Sequence, residues 1–272
     1  MRYAFLLLAA TTIATPALAQ DAGPPKDSIT IGVGAAYVPR YEGSSDNTVT
    51  PAAAARGTIS GIGFMLIGTT LYTDFVPETS ATGGKLVLGP VVHVTLNRTS
   101  NKRTRDFQVA ALGELDPAVE IGGQIGYSQT GVITSDYDTV SLTVGAVHDV
   151  SGVHDSYIIT PQFSYGTPLS PKIYVGLNVS ADYVGGKYAQ TYFGVTPGQS
   201  IASGLATYTP GDGFKDVSAG LGVNYSLTGD LRHGLSLFAV GSYERLLGDF
   251  ARSPVVNDRS QLIGAAGLAY TF

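Results

Sequence analysis

The sequence has no cysteine, no tryptophan and little charge. Only 14% of its 272 residues are charged, and the formal net charge is −5. Without cysteine, a secreted chain of this length cannot rely on disulfide bonds, so its stability must come from a large sheet. The acidic balance argues against nucleic acid as a partner, because nucleic-acid binding requires a basic surface.

Long hydrophobic runs are also missing after the N-terminal segment. No later stretch of the sequence holds 18 apolar residues, which excludes a membrane-spanning helix there. Residues 1–19 combine Arg2, a short apolar run and the small-residue site Ala17-Leu18-Ala19. That pattern predicts a secretory signal peptide cleaved near Ala19. Residues 20–27 then read as a short, unstructured periplasmic leader.

The chain does contain alternating strands, and the clearest signal lies in residues 259–272. One face is apolar and ends in Tyr270 and Phe272, whereas the other is small and increasingly polar. Alternation over about 10 residues is typical of a transmembrane β-strand, with an amphipathic strand of a soluble sandwich as the alternative. The ending resembles the signal read by the barrel assembly machinery, with Gly267, Tyr270 and Phe272 in place and Ala265 as a departure.

The same alternation recurs along the chain. The regular segments are 28–37, 85–97, 118–127, 139–150, 156–165, 172–184, 216–227 and 233–246, with a weak strand at 48–56 and an ambiguous stretch at 60–76. Strands that are apolar on one face and small or polar on the other can exist in lipid only as a closed barrel. The sequence therefore predicts an all-β fold, a closed antiparallel transmembrane β-barrel over residues 28–272. Splitting the ambiguous stretch at Gly68 gives about 12 strands, and ten remain an alternative.

Tyrosine placement gives an independent check on this barrel. With both termini in the periplasm, two groups of outward tyrosines fall at opposite ends of the strands. The extracellular group is Tyr37, Tyr157, Tyr183 and Tyr243, and the periplasmic group is Tyr127, Tyr165, Tyr225 and Tyr270. Such aromatic belts mark the two interfaces of a bilayer.

The longest segment between regular strands is 185–214. It contains Tyr188, Tyr192, Phe193 and Tyr208, which are too many aromatic residues for a disordered tether. Loops of this length in a compact domain are usually functional or disordered. We therefore expect this segment to be ordered, and either to fold over the barrel mouth or to dock a ligand or partner.

Several short motifs resemble the MipA/OmpV family of outer-membrane proteins. They occur in the family's order and extend over essentially the whole chain after the signal peptide, with a looser match at 98–156. The motifs lie at Pro39, 41–44, Gly89-Pro90, 192–197, 203–205, Tyr208, 213–217, 245–249 and 253–256. The resemblance implies a barrel in the outer membrane of a Gram-negative cell.

The resemblance also implies a function and partners. The named family member is a scaffold that brings a murein lytic transglycosylase together with a peptidoglycan synthase. Such partners would meet the periplasmic side, so the contact is expected at the turns 167–172 and 228–232 or at the leader. The alternative is a narrow porin for small solutes.

No catalytic, cofactor or metal site is predicted from the sequence. The four histidines, His93, His148, His154 and His233, lie in no recognisable motif, and no Gly-x-Ser-x-Gly occurs. We therefore expect isolated surface or lumen histidines and a non-enzymatic protein.

Charged residues are expected both inside the barrel and on one loop. Predicted lumen charges are mixed, which favours a plugged interior over an ion-selective pore. They are Glu120, Asp182, Asp216 and Glu244 against Lys85, Lys172 and Arg259. The basic residues Lys102, Arg103 and Arg105 lie in a loop that either contacts lipopolysaccharide phosphates or is simply solvated.

Overall fold

The computed structural model of the protein describes residues 27–77 and 83–272. The predicted signal peptide and nearly all of the predicted leader lie outside the described residues.

Twelve antiparallel strands within the described ranges form one closed barrel, which confirms the predicted fold class and the larger strand count. The strands are β1 Ser28–Pro39, β2 Asn47–Ile59, β3 Ile62–Ile67, β4 Thr70–Asp74, β5 Gly83–Thr95, β6 Ala118–Thr130, β7 Thr139–Asp149, β8 Tyr157–Ser170, β9 Ile173–Val184, β10 Gly213–Ser226, β11 Gly234–Leu246 and β12 Ser260–Thr271. Short helices lie in the connections: α1 Asn101–Thr104, α2 Phe107–Ala110, α3 Gly186–Phe193, α4 Pro197–Ser203 and α5 Gly248–Arg252.

The ambiguous stretch 60–76 divides at Gly68, where φ is +58°. The left-handed backbone there suits glycine and closes the tight connection between β3 and β4. The weak strand around 48–56 is the middle of β2, and Pro51 is tolerated there on the exposed face, opposite Ala35.

The barrel closes between β1 and β12, where Gly34 lies opposite Gly267. A Cβ on Gly267 would lie 2.2 Å from the carbonyl oxygen of Val33, and a Cβ on Gly34 would lie 2.2 Å from that of Ala266. A Cβ cannot lie that close to a carbonyl oxygen. A larger residue at either position would therefore push β1 and β12 apart. The close approach of β1 and β12 at the seam therefore explains why residue 267 is a glycine.

The outward face of the strands is apolar and exposed, as the alternation predicts. Val33, Leu88 and Leu262 are exposed by 60%, 53% and 60%. The opposite face carries small and polar residues such as Ser180 and Ser218, whose hydroxyl oxygens lie 2.8 Å apart across β9 and β10. Among the described residues, no helix has the length and apolar character needed to traverse a bilayer.

The two ends of the barrel differ. The loop end carries the long connections, and the turn end carries the shorter ones together with the start of β1 and the end of β12. The loop-end segments are 40–46, 68–69, 96–117, 150–156, 185–212 and 247–259, and the described turns are 60–61, 131–138, 171–172 and 227–233.

Candidate functional site

Five of the loop-end segments fold together over the barrel mouth, and we call them the cap. The cap consists of residues 40–46, 96–117, 150–156, 185–212 and 247–259, and it includes all five helices. Its contacts run mainly between segments that are far apart in sequence, so the cap is a packed layer rather than a set of separate loops.

Helix α3 supplies the apolar anchor of the cap. Tyr188, Ala189, Tyr192 and Phe193 follow helical spacing and are all buried. The Phe193 ring meets the Phe250 ring of α5 edge-on at 5.2 Å between centroids. Burial raises the pKa of Tyr188 and Tyr192 further above their usual range, so both hydroxyls stay protonated. Each large side chain buried in this way stabilises the fold by about 1.5–3 kcal/mol.

Helix α4 has clear start and stop signals. Thr196 and Gln199 form a capping box, Pro197 opens the helix, and Gly204 ends it in the left-handed conformation at φ +75°. Beside this helix, Val195 and Tyr208 pair as an isolated antiparallel bridge.

Side-chain hydrogen bonds join the cap segments to each other. Ser253 Oγ donates to the carbonyl oxygen of Phe193 at 2.6 Å. Tyr208 Oη donates to the carbonyl oxygen of Asp249 at 2.8 Å. Gln199 Nε2 donates to the carbonyl oxygen of Leu112 at 3.0 Å, which joins α4 to the segment 96–117.

A buried ion cluster lies directly beneath the cap, centred on Lys215. Its Nζ lies 2.6 Å from Glu42 Oε1, 3.0 Å from Asp216 Oδ2 and 3.3 Å from Asp182 Oδ2. The same ammonium lies 5.7 Å from the centre of the Tyr188 ring. One lysine therefore contacts the barrel wall, the segment 40–46 and helix α3.

Lys215 faces inward because the strand is irregular there. The pairing of β10 with β9 shifts between Phe214 and Asp216, so one extra residue sits on β10. A β-bulge of this kind breaks the period-two alternation. Lys215 and Asp216 are consequently both buried on the lumen side, at 4% and 3% exposure. Strict alternation would have turned Lys215 towards lipid.

Glu42, Asp216 and Glu244 bring carboxylate oxygens within 4.8 Å of one another. Such a group can in principle hold a cation. Here the Lys215 ammonium already provides positive charge at the centre of the cluster. The arrangement is therefore explained as an internal ion network without a metal ion.

A second buried polar group lies next to α3. His154 Nε2 is 3.1 Å from Glu120 Oε1, and Thr95 Oγ1 donates to the same oxygen at 2.7 Å. The His154 ring packs edge-on against Tyr188 at 5.0 Å. A nucleophilic triad needs the histidine between the hydroxyl and the acid. Here the carboxylate lies between them, so this group joins wall to cap and does not activate Thr95.

Arg98 is a buried cation in the segment 96–117, at 4% exposure. Its Nη2 donates to the carbonyl oxygen of Thr191 at 2.9 Å. Its Nε and Nη1 have no hydrogen-bond partner among the described residues. Burial lowers the pKa of Arg98 to about 10, although Tyr192 and Tyr41 partly offset that effect, so the side chain remains charged at neutral pH.

The described interior includes cavities at two different depths. A cavity of about 80 Å³ lies under the cap and is lined in part by Arg98, Tyr188, Glu244 and Gln261. A cavity of about 200 Å³ lies in the turn-end half of the lumen, between Arg56, Tyr72, Gln124 and Gln162.

At the turn end, residues 131–138 form an ordered turn. Asp138 Oδ1 accepts the N–H of Val132 at 2.6 Å, and Oδ2 accepts the N–H of Ile133 at 2.8 Å. Burial of the side chain opposes ionisation, but these N–H groups and that of Thr134 lower the pKa of Asp138 to about 2. The turn leaves the Val132 and Ile133 side chains 50% and 65% exposed.

The aromatic residues singled out from the sequence fall in the cap. Tyr188, Tyr192 and Phe193 lie in one buried cluster, and Tyr208 is half-buried beside a second one. The proposed assembly residues lie on β12 and just after it. Tyr270 and Phe272 are both exposed on the outer face, with ring centroids 4.8 Å apart.

Some charge and histidine predictions were wrong. Lys172 lies in the turn 171–172 and Arg259 in the cap, both exposed, so neither is a lumen charge. His93 and His154 are not isolated: His93 Nδ1 lies 2.7 Å from Thr70 Oγ1, and His154 pairs with Glu120.

Sequence reasoning missed Glu42 and Lys215 as partners. Both stand inside motifs that resemble the MipA/OmpV family, at 41–44 and 213–217, so the motifs were a usable signal. Their pairing was hidden because the bulge reverses the face of Lys215. In the basic segment, Lys102 and Arg105 are exposed.

Solved structures similar to this chain are outer-membrane barrels. The toluene transporter TodX of Pseudomonas putida is 12% identical with a TM-score of 0.36, covering 95% of this chain and 92% of that one. An outer-membrane channel of Pseudomonas putida F1 is 12% identical with a TM-score of 0.43, covering 93% and 97%. An anion-selective porin of Comamonas acidovorans is 10% identical with a TM-score of 0.37, covering 91% and 99%. These likenesses are too distant to carry a functional argument.

Sequence comparison gives a clearer result. No curated protein matches this chain significantly. The family model described as MltA-interacting protein MipA, however, matches residues 31–272. Because that match extends over nearly all of the chain, the protein belongs to the MipA family.

Proposed function

We propose that this protein is a non-enzymatic scaffold of the murein-synthesising machinery in the Gram-negative outer membrane. The signal peptide is removed near Ala19, the cap faces outward, and the turn end faces the periplasm. The partners are a murein lytic transglycosylase and a peptidoglycan synthase, with the barrel assembly machinery acting during insertion. Lipopolysaccharide surrounds the loop end, where exposed Lys102 and Arg105 meet its phosphates.

The observation that carries this proposal is the set of buried contacts that join the cap to the barrel wall. Lys215 joins β10 to Glu42 and to the Tyr188 ring. A passive pore does not need a buried ion cluster beneath its mouth, whereas a barrel that serves as a rigid platform benefits from one. The family description, which names interaction with MltA, supports the same reading.

The docking surface is assigned to the turn 131–138. Murein enzymes are periplasmic, so a scaffold must meet them at the turn end. The turn is held by Asp138 and exposes Val132 and Ile133. Exposed apolar side chains on a rigid turn are suited to a protein interface. At the edge of this contact, the partners also meet the turns 171–172 and 227–233 and the leader.

A capture experiment tests the scaffold function. The detergent-purified full-length barrel is immobilised, incubated with periplasmic extract and probed for the two murein enzymes. We expect the wild type to retain both, and the double variant Val132→Asp/Ile133→Asp to retain less than about one tenth. Ile201→Asp is the matched control, since Ile201 is 88% exposed on α4 at the opposite end. Failure of the wild type to retain either enzyme would contradict the scaffold function.

A gated channel is the second candidate. The cavity of about 200 Å³ in the turn-end half is lined by apolar side chains such as Phe64 and Met65 and by the polar side chains of Gln124 and Gln162. It offers space for water and small solutes. Movement of the cap would connect this space to the outside. Unlike a closed scaffold, a channel would show solute flux through the unmodified protein.

The absence of catalysis is part of the proposal. It is supported by the order of Thr95, Glu120 and His154, in which the acid contacts the hydroxyl and the histidine does not. Incubation with phospholipid vesicles should release no fatty acid above the level of a protein-free control.

A further inference from the structure

The outward face of β11 carries an arginine, although charge is rare on the lipid-facing side of a membrane strand. Arg245 follows Tyr243 by two residues, so both side chains belong to the same face. Tyr243 is 45% exposed and is one of the outward tyrosines at the loop end. Belt tyrosines sit at the level of the lipid headgroups. Arg245, one outward position further towards the loop end, therefore reaches the headgroup phosphates.

Two hydroxyl groups hold the Arg245 side chain in place. Its Nη1 donates to Tyr243 Oη at 3.3 Å and to Ser260 Oγ at 3.5 Å. Those two oxygens lie 2.9 Å apart, so they form one anchor between β11 and β12. The Nε and Nη2 atoms share another edge of the guanidinium group. They make no hydrogen bond to a described residue, and neither atom is enclosed.

An aromatic surface adjoins Arg245 on the neighbouring strands. Val217 lies directly opposite Arg245 in the pairing of β10 with β11 and is 40% exposed. Further towards the loop end, Phe214 is 53% exposed, and its ring meets the Tyr183 ring edge-on at 5.3 Å. Tyr157 stacks on Tyr183 with ring centroids 6.5 Å apart. We call Phe214, Tyr183 and Tyr157 the aromatic row.

The charge beside this surface favours an anion. Arg259, one residue before Ser260, is exposed and forms no ion pair with a described residue. The neighbouring acid is Asp258, whose Oδ1 accepts the N–H of Ser260 at 2.8 Å. The loop end of the hairpin β11–β12 thus presents the cations Arg245 and Arg259 against one carboxylate that is already hydrogen-bonded.

We propose that Arg245 and the aromatic row bind the headgroup of a phosphorylated glycolipid in the outer leaflet. The Nε–Nη2 edge donates two parallel hydrogen bonds to two oxygens of one phosphate, a geometry that lysine cannot reproduce. The sugar rings pack on the aromatic row. An acyl chain lies against Leu262, which is opposite Tyr243 and 60% exposed. This inference rests on the proposed orientation, with the loop end outside, and does not depend on the scaffold partners.

Native mass spectrometry of the full-length barrel in detergent tests this proposal by counting bound lipids. The probes are diphosphorylated lipid A, the same lipid without its phosphates, and phosphatidylglycerol, which has a phosphate but no sugar. We expect the wild type to bind diphosphorylated lipid A saturably. Each of the other two lipids should bind at least about ten-fold more weakly, since each lacks one part of the match.

Variants assign the phosphate contact to Arg245. Arg245→Gln should weaken binding of diphosphorylated lipid A by at least about ten-fold and leave the dephosphorylated lipid unchanged. Arg245→Lys keeps the charge but loses the planar fork, so it should bind at least about three-fold more weakly than the wild type. Lys187→Gln is the matched control, because Lys187 is an exposed loop-end cation paired with Asp155, and it should bind as the wild type does. All three variants should still capture the murein enzymes, which separates this site from the scaffold function.

Four results would overturn the proposal. The first is the absence of saturable binding of diphosphorylated lipid A. The second is equal affinity of the wild type and Arg245→Gln for that lipid. The third is equal affinity of the wild type for the lipid with and without phosphates, and the fourth is equally tight binding of phosphatidylglycerol. The two comparisons on the wild type decide the matter if a variant does not fold, with folding checked by heat-dependent mobility in gels.

Discussion

Lys215 Nζ lies 2.6 Å from Glu42 Oε1, and this contact fastens the cap to the barrel wall. The two residues are far apart in the chain, on β10 and in the segment 40–46. Neither charge is easily removed, because a buried carboxylate or ammonium that loses its partner stays desolvated. The stability of the cap should therefore depend on this pair more than on surface ion pairs.

The first prediction concerns that pair. Lys215→Ala leaves Glu42, Asp182 and Asp216 without their shared cation, so we expect a loss of about 3–5 kcal/mol in cap stability. Limited proteolysis in detergent should show faster cleavage within 185–212. Lys187→Ala is the control, because Lys187 and Asp155 pair with side chains 67% and 63% exposed. Equal cleavage rates for the two variants would show that the cluster does not fasten the cap.

The second prediction concerns the aromatic anchor. Phe193→Ala should cost about 3–5 kcal/mol, because the ring is fully buried against Phe250 and leaves a cavity. Hydrogen exchange of the α3 and α5 amides should report the loss. Phe107→Ala removes a ring that is 82% exposed on α2 and should change exchange little. Unchanged protection in Phe193→Ala would argue against a packed cap.

The third prediction tests the faces of the barrel. Val179 points outward and is 46% exposed, whereas its neighbour Ser180 points inward to Ser218. Val179→Arg should cost about 2–4 kcal/mol in folding titrations into lipid vesicles, since it places a charge in hydrocarbon. Ser180→Arg should cost less, because the lumen is polar. The pair Leu221→Arg and Gly220→Arg repeats the test on β10, and equal penalties within each pair would contradict the assigned faces.

The fourth prediction concerns pH. The pKa of Asp138 is about 2 in the folded turn, against about 4 in an unfolded chain. A carboxylate with a depressed pKa stabilises the folded state above its unfolded pKa and loses that contribution as pH falls. The turn 131–138 should therefore loosen between about pH 4 and pH 2. Amide signals of Val132 and Ile133 should shift over that range and should be pH-independent in Asp138→Asn.

The fifth prediction concerns assembly. Phe272 is 63% exposed on the outer face, and its backbone N–H donates to the carbonyl oxygen of Ile29 at 2.9 Å across the seam. Deleting Phe272 should slow insertion and increase periplasmic degradation products, measured by fractionation and immunoblotting. Normal outer-membrane amounts would show that the C-terminal residue carries no assembly signal.

The barrel was predictable from the sequence because the alternation that specifies it is visible within each strand. Lipid contact on one face and polar lumen contact on the other impose a period of two, and segments such as 172–184 show it directly. The division at Gly68 could be anticipated because glycine permits the left-handed turn found there.

The cap was less predictable because its contacts are long-range. Tyr188, Tyr192 and Phe193 could be recognised as candidates by composition, but their common burial on α3 depends on packing against Phe250. Lys215 could not be placed at all from alternation, since a β-bulge reverses its face. The Glu120–His154 pair likewise joins residues 34 positions apart that share no motif.

The most direct test is conductance of the purified barrel in planar lipid bilayers. A closed scaffold predicts no steady conductance for the wild type. Removing residues 191–208, which opens the cap above the cavity of about 200 Å³, should produce measurable current while capture of the murein enzymes persists. A steady, ohmic current through the unmodified protein would contradict the closed barrel proposed here and favour a channel.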